Sequence, residues 1–129
     1  MLKQNNYLKK FIEFVPALIW MVLIFYLSSI PNLKTDLETV YDMVLRKGAH
    51  MFEYFVLTLL LWYALRQFRM WQLTKFNLIF IVSFLYALSD EWHQSFVAAR
   101  SGNIFDVGID TIGIVIGLVV IKFMQNRKR

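Results

Sequence analysis

Long runs without a charged residue dominate the chain and predict membrane-spanning helices. Residues 14–33 form an uncharged run of 20 residues, and a helix that rises 1.5 Å per residue needs about that many to cross ~30 Å of hydrocarbon. Three later uncharged runs, at 54–65, 76–89 and 111–121, have 12, 14 and 11 residues and are too short to span a membrane alone. Residues with ionisable side chains must therefore complete these three helices.

The pattern predicts an all-α fold, a polytopic bundle of four transmembrane helices in one domain that covers residues 1–129. The expected spans are residues 12–31, 48–66, 75–95 and 104–123. Gly113 and Gly117, four residues apart in the last span, form a small-residue seam for close helix packing. No small-residue cleavage site follows the first apolar run, so we expect that span to be retained rather than removed as a signal peptide.

Composition supports a membrane protein and excludes several other classes. The chain is 58% hydrophobic and 18% charged, whereas soluble domains are about a quarter charged. Its net charge of +5 comes from basic residues between apolar runs, which argues against a nucleic-acid partner. The absence of cysteine excludes disulfides, thiolate metal sites and a cysteine nucleophile.

The distribution of Lys and Arg predicts the orientation, because cytoplasmic loops retain positive charge. Ten basic residues lie in the two terminal segments and in the loop between the second and third spans, whereas the other two loops and their helix ends hold four. We therefore expect both termini to be cytoplasmic. Most acids lie on the opposite side, where Asp36, Glu38 and Asp42 are expected in a solvated loop or a short interfacial helix.

Ionisable residues of different helices fall at similar depths. Counted along each helix from the basic residue at its inner end, Glu53, Asp90 and Asp110 lie about 18–23 Å from that boundary. Slightly further out, at about 24–27 Å by the same rise per residue, come four more polar residues: Ser28, His50, His93 and Asp106. Ionisable groups within a span usually face a bundle interior and serve a function. The sequence thus predicts a polar layer near the outer membrane face.

The charges in this layer do not balance. Its carboxylates are Glu53, Asp90, Glu91, Asp106 and Asp110, and its cations are Arg46, Lys47 and Arg100. Two negative charges are in excess, which protonated histidines, protonated carboxylates or a bound divalent cation would each compensate. Glu91 is turned about 100° from Asp90 around the helix, so we expect it to face solvent or lipid headgroups rather than the site.

Three blocks of residues resemble the VanZ-like membrane proteins. The blocks are Lys47-x-x-His50-x-x-Glu53-Tyr54, Ser89-Asp90-Glu91-x-His93-Gln94-x-Phe96-Val97-x-x-Arg100, and Asp106-x-x-x-Asp110-x-x-Gly113-x-x-x-Gly117. The resemblance extends back to Ser28-Ser29 in the first span. This chain departs from many members in having Ala98-Ala99 in place of Pro-Gly, and Asp110 in place of Asn.

The resemblance implies a small multispanning protein of the bacterial cytoplasmic membrane with a role at the cell envelope. The family is named for a protein associated with decreased susceptibility to the glycopeptide teicoplanin. The name brings no established reaction, so the chemistry must be argued from the site.

Three hypotheses remain open from the sequence. The first is an enzyme that acts on a phospholipid or a lipid-linked cell-wall intermediate, with acid–base chemistry by histidine–carboxylate pairs and a phosphate held by cations. Its candidate catalytic residues are His50, Glu53, Asp90, His93, Asp106 and Asp110, with His93 oriented by Asp90 as the general base. Its candidate substrate-binding residues are Arg46, Lys47, Gln94 and Arg100.

A divalent cation is an optional cofactor of this enzyme, with Asp90, His93, Asp106 and Asp110 as candidate ligands.

The second hypothesis is a small proton-coupled transporter, which the apolar inner halves of the helices disfavour. The third is a non-catalytic protein that binds a wall precursor or a glycopeptide. Membrane lipids are the expected surroundings in every case, and the sequence leaves the oligomeric state open.

Overall fold

The computed structural model describes residues 2–31, 39–98, 100 and 102–127, and within these the side chains of residues 2–6 and 39 are outside the description. The described part consists of helices and contains no strand. The helices in chain order are α1 (Leu2–Ile12), α2 (Val15–Ser29), α3 (Thr39–Leu65), α4 (Gln72–Gln94) and α5 (Ile104–Asn126). The prediction of an all-α fold is confirmed.

Four helical segments are long and apolar enough to cross a membrane, as predicted. They are Tyr7–Ser29, Val40–Leu65, Gln72–Gln94 and Ile104–Asn126. The large apolar side chains on their outer surfaces, such as Val22 at 68% exposed, suit contact with lipid. The four segments therefore identify an integral membrane protein.

The helix bounds differ from the sequence prediction at two places. α3 begins at Thr39 rather than at residue 48, because apolar residues such as Val40 and Val44 continue the helix instead of forming a separate interfacial helix. Asp42 belongs to this first part of α3, and Asp36 and Glu38 lie outside the described residues. In the first span, a turn at Glu13 and Phe14 separates α1 from α2, just before Pro16 in the first turn of α2.

α3 and α5 form the most extensive helix pair, and their contact depends on two glycines. A Cβ atom on Gly113 would collide with the backbone oxygen of Met51, and one on Gly117 would lie 2.8 Å from the Cβ of Thr58. Since neither position has room for a methyl group, the two backbones approach as closely as the predicted small-residue seam allows.

α2 is tied to the other helices by hydrogen bonds as well as by packing. The indole Nε1 of Trp20 donates to the backbone oxygen of Glu53 at 2.9 Å. The hydroxyl of Tyr86 donates to the backbone oxygen of Met21 at 2.5 Å. Such bonds fix the position of α2 in a medium where apolar side chains gain little from leaving lipid.

The two ends of the bundle differ in character. Leu57, Leu61, Ile79 and Ile121 are buried in the half that holds the described ends of the chain, and the buried Lys75 donates to the backbone oxygen of Arg66 at 3.2 Å near its boundary. The opposite half, where α2 and α4 end and α3 and α5 begin, is the distal end. Buried polar side chains concentrate at this distal end.

Candidate functional site

Polar side chains from α2, α3, α4 and α5 meet at the distal end of the bundle. This polar cluster comprises Ser28, His50, Glu53, Asp90, Glu91, Gln94, Asp106 and Asp110. The four from α2 and α4, together with Asp110, are buried, whereas His50, Glu53 and Asp106 are partly exposed. Apart from Gln94, which was predicted only to bind substrate, these are residues that the sequence had placed in one layer, and the structure brings them together.

Asp90 joins α4 to α2. Its Oδ2 atom accepts hydrogen bonds from the hydroxyl of Ser28 at 2.9 Å and from Nε2 of Gln94 at 3.0 Å. The same Gln94 amide also donates to Ser28 at 3.2 Å. Because two neutral donors hold one carboxylate oxygen, Asp90 has a clear structural role in fixing the two helix ends.

His50 lies between two carboxylates. Its Nδ1 atom is 3.5 Å from Oδ1 of Asp110 and 4.0 Å from Oε2 of Glu53. His50 and Glu53, three residues apart, therefore share one face of α3. Asp110 is fully buried, and neither of its carboxylate oxygens has a hydrogen-bond partner. The seam between α3 and α5 thus places an acid directly beside the histidine.

Glu91 is buried, contrary to the expectation that it faces solvent or lipid. It is 5% exposed, and its Oε2 atom accepts a hydrogen bond from the backbone N–H of Asn103 at 3.1 Å. The sequence held one signal for this contact, an asparagine of the type that begins helices. In the structure, Asn103 caps α5 by accepting a hydrogen bond from the N–H of Phe105. A helix that starts so soon after α4 ends requires a short connection folded over the last turn of α4, where Glu91 lies.

His93 occupies a different position from the one predicted. Its ring stacks on Phe25 with centroids 4.4 Å apart, and its Nε2 atom is 3.0 Å from the hydroxyl of Ser29. Asp90 instead uses the neighbouring Ser28, so the expected orientation of His93 by Asp90 is not formed. Although the two residues share a helical spacing, the ring of Phe25 holds His93 against the side of α2.

The predicted cation ligands are likewise not assembled as a set. Among the described residues, the histidine and acids whose possible ligand atoms converge are His50, Glu91 and Asp110. Only Asp110 belongs to both sets. Asp106 faces α3 instead, where its Oδ1 atom is 3.6 Å from Nζ of Lys47.

Two adjoining pockets open beside the polar cluster. The first, of about 70 Å³, is lined by polar groups that include Lys47, Gln94 and Asp106. The second, of about 250 Å³, has a partly apolar wall that includes Leu27 and Leu45. Three residues line both pockets: Arg46, His50 and Arg100. All four predicted substrate-binding residues therefore face the first pocket.

Arg100 carries a charge in an unfavourable place. Its Nη2 atom donates to the backbone oxygen of Leu27 at 3.2 Å, which anchors the connection between α4 and α5 on α2. Burial lowers the pKa of Arg100 and the nearby positive charge of Arg46 lowers it further, while the carboxylates of Asp90, Glu53 and Glu91 offset part of that effect. Two guanidinium groups that line the same pockets would both be stabilised by an anion placed beside them.

Comparisons with known proteins give one result for the chain. No match was found among curated proteins, and none among solved structures. A family model described as VanZ/LLP1 matches residues 11–125, which include every helix that could span a membrane apart from the ends of the first and the last. The match covers most of the 129 residues, and the chain belongs to the VanZ/LLP1 family.

Proposed function

We propose that this protein is an enzyme that acts on the phosphate group of a membrane lipid, either a phospholipid or a lipid-linked cell-wall intermediate. The observation that carries the proposal is the shared lining of the two pockets by Arg46, His50 and Arg100. Guanidinium groups bind phosphate through paired, charge-assisted hydrogen bonds. The histidine faces the space in which such a phosphate would lie.

The surroundings of the pockets favour an amphiphile over a small soluble anion. Leu27, Leu45 and Ala49 give the larger pocket an apolar wall, whereas Lys47 and Asp106 line the smaller, polar pocket. A lipid headgroup suits the polar pocket and the first carbons of its chain suit the apolar wall. The lipid would arrive laterally from the membrane, because the helix surfaces around the pockets are apolar.

His50 is the best-placed group to hold or move a proton. Its side chain is only 12% exposed, and the acids Asp110 and Glu53 both approach its Nδ1 atom. Such carboxylates orient the ring and stabilise its charged form. A positioned acid–base group of this kind contributes about 10²- to 10⁴-fold to a rate, so loss of His50 should remove most of the activity.

The proposed location of the pockets is the outer face of the bacterial cytoplasmic membrane. Support comes from the basic residues near the chain ends and in the loop between α3 and α4, which favour the cytoplasm. The buried apolar layer that contains Leu57, Leu61 and Ile79 separates the polar cluster from that side. The same layer argues against the transporter, which needs polar groups along a path through the bundle.

A non-catalytic binder of a wall precursor or a glycopeptide is the second candidate. It is favoured by the observation that Asp90, Ser28 and Gln94 hold one another and are thus committed to structure rather than to chemistry. In that case the cations Arg46 and Arg100 would bind the ligand, and a proton-transferring His50 would be unnecessary.

A matched pair of histidine substitutions tests the proposal. His50→Gln removes the proton carrier, whereas His93→Gln makes the same change at a ring that rests on Phe25. Cells that express either variant or the original chain at equal membrane abundance are compared by mass spectrometry of lipids and wall precursors, and by teicoplanin susceptibility. We expect the original chain to change the amount of one lipid species. His93→Gln should make the same change, whereas His50→Gln should make it at a rate at least about 100-fold lower.

Full retention of that lipid change by His50→Gln would refute the enzyme. Identical lipid profiles in all strains, together with a susceptibility that still depends on the chain, would replace the enzyme by the binder.

A further inference from the structure

Three side chains from three different helices converge at the distal end, and one of them, His50, lines both pockets. His50 of α3, Glu91 of α4 and Asp110 of α5 each offer one possible ligand atom, and these atoms all lie within 4.8 Å of one another. Asp110 is fully buried and Glu91 is 5% exposed. Their positions are fixed by the helix packing rather than by a surface loop.

The two acids of this group have oxygens that nothing in the described structure satisfies. Both oxygens of Asp110 and the Oε1 atom of Glu91 are buried without a hydrogen-bond partner. A buried ionised carboxylate is costly unless it is paired or coordinates a metal. His50 approaches one oxygen of Asp110, whereas the other oxygen of Asp110 and Oε1 of Glu91 have no hydrogen-bond or ion-pair partner among the described residues.

Two of the basic side chains around the cluster have other contacts. Lys47 pairs with Asp106, and Arg100 donates to the backbone oxygen of Leu27. Glu53, Asp90, Glu91, Asp106 and Asp110 together exceed the charge of Arg46, Lys47 and Arg100 by two units. A divalent cation held by His50, Glu91 and Asp110 would supply two positive charges next to these buried acids.

We propose that His50, Glu91 and Asp110 bind a divalent transition-metal ion, of the class of Zn²⁺ or Mn²⁺. One imidazole nitrogen and two carboxylate oxygens form a ligand set that suits these ions. Two ligand atoms at about 2.1 Å from a tetrahedral ion lie about 3.4 Å apart, and Nδ1 of His50 is 3.5 Å from Oδ1 of Asp110. The N–H of Asn103 holds the other oxygen of Glu91, as outer groups commonly orient metal ligands.

The role of this ion rests on the proposed function, although its binding does not. An ion next to the pocket of Arg46 and Arg100 would polarise an oxygen of the bound phosphate group. With the ion bound, His50 would be a ligand, and the proton-holding role proposed for it above would pass to Glu53, whose Oε2 atom lies 4.0 Å from Nδ1 of His50. The ligand set differs from the one predicted from sequence because Glu91 and His50 replace Asp90, His93 and Asp106.

The test uses the full chain purified in detergent micelles, freed of metal by a chelator and titrated with Mn²⁺ or Zn²⁺. Isothermal titration calorimetry gives the affinity and the number of ions, and the electron paramagnetic resonance signal of Mn²⁺ reports binding independently. We expect one ion per chain. Glu91→Gln and Asp110→Asn should each weaken binding by at least tenfold, whereas His93→Gln should bind as the original chain does.

Glu91→Gln keeps the proposal testable if Asp110→Asn does not fold, because Gln retains a side-chain oxygen that can accept from Asn103. Absence of saturable binding, or equal affinity in Glu91→Gln and the original chain, would overturn the metal site. If the protein binds the ion but changes no lipid, the metal site is supported and the enzymatic function is refuted. If the lipid change persists after chelation and no ion binds, the metal site is refuted and the enzymatic function is supported.

Discussion

Replacing Gly113 with alanine should destabilise the bundle, although the change adds only one methyl group. The added Cβ would collide with the backbone oxygen of Met51 on α3, and backbone cannot rotate aside as a side chain can. The two helices must therefore move apart or bend. Overpacking of this kind typically costs about 1–3 kcal/mol.

A second glycine of the same helix provides the matched control. A Cβ on Gly108 meets nothing within 4 Å. Gly108→Ala should therefore raise the unfolding free energy by roughly 0.8–1.0 kcal/mol, through the higher helix propensity of alanine alone. Because both variants gain that propensity, the difference between their unfolding free energies isolates the packing cost. We expect Gly113→Ala to be less stable than Gly108→Ala by about 1–3 kcal/mol.

The assay is unfolding in mixed micelles with increasing dodecyl sulfate, followed by circular dichroism. Equal unfolding free energies for the two alanine variants would refute the close contact between α3 and α5. The substitution should also disturb the site, since Gly113 lies one helical turn from Asp110 and packs against the residue next to His50. Separation of the helices would lengthen the 3.5 Å distance between Nδ1 of His50 and Oδ1 of Asp110, and a displacement of about 1 Å can lower a rate by 10²-fold.

Three further predictions address the other contacts and the topology. Ser28→Ala removes one of the two donors to Asp90 and should lower the unfolding free energy by about 1.5–3 kcal/mol, the usual value for a bond to a charged group, in the same micelle assay; an unchanged value would contradict that bond. Lys47→Met breaks a partly exposed ion pair and should lower the unfolding free energy by less than about 1 kcal/mol. It should also weaken binding of a short-chain anionic phospholipid to the protein in detergent micelles, most strongly at low salt, and equal binding at low salt would argue against a phosphate pocket. Because the chain lacks cysteine, single variants at two exposed aromatic residues can be labelled without background: an impermeant maleimide should label Phe96→Cys in intact cells, and Trp71→Cys only after permeabilisation, and the opposite pattern would invert the proposed orientation.

The depth of each polar residue could be predicted from the sequence, whereas its direction could not. Counting residues along a helix gives a height, and by height alone His50, Glu53, Asp90 and Asp110 were placed in one layer, where the structure indeed has them together. Rotation about the helix axis depends on which neighbour each helix faces. A single sequence does not reveal which helices are neighbours, so it does not determine which side chains a given residue contacts.

Glu91 and His93 show this difference. Glu91 would face outwards, as predicted, if α4 had a single interior face that contains Asp90. The last turn of α4 is in fact enclosed on two sides, by α2 at Asp90 and by the connection to α5 at Glu91. The position of His93 has the same cause, because its ring stacks on Phe25 of the neighbouring α2.

The fully buried carboxylate of Asp110 bears on how the protein is inserted during synthesis. An ionisable acid within a nascent span opposes its transfer into the bilayer, and α5 carries two acids in its first two turns, Asp106 and Asp110. α5 is made last of the described helices, so the residues that meet these acids, Lys47 and His50 on α3, are already in the membrane when it emerges. The order of the helices in the chain therefore makes a partner for each acid present when α5 inserts. α2 has no charged residue and needs no such partner.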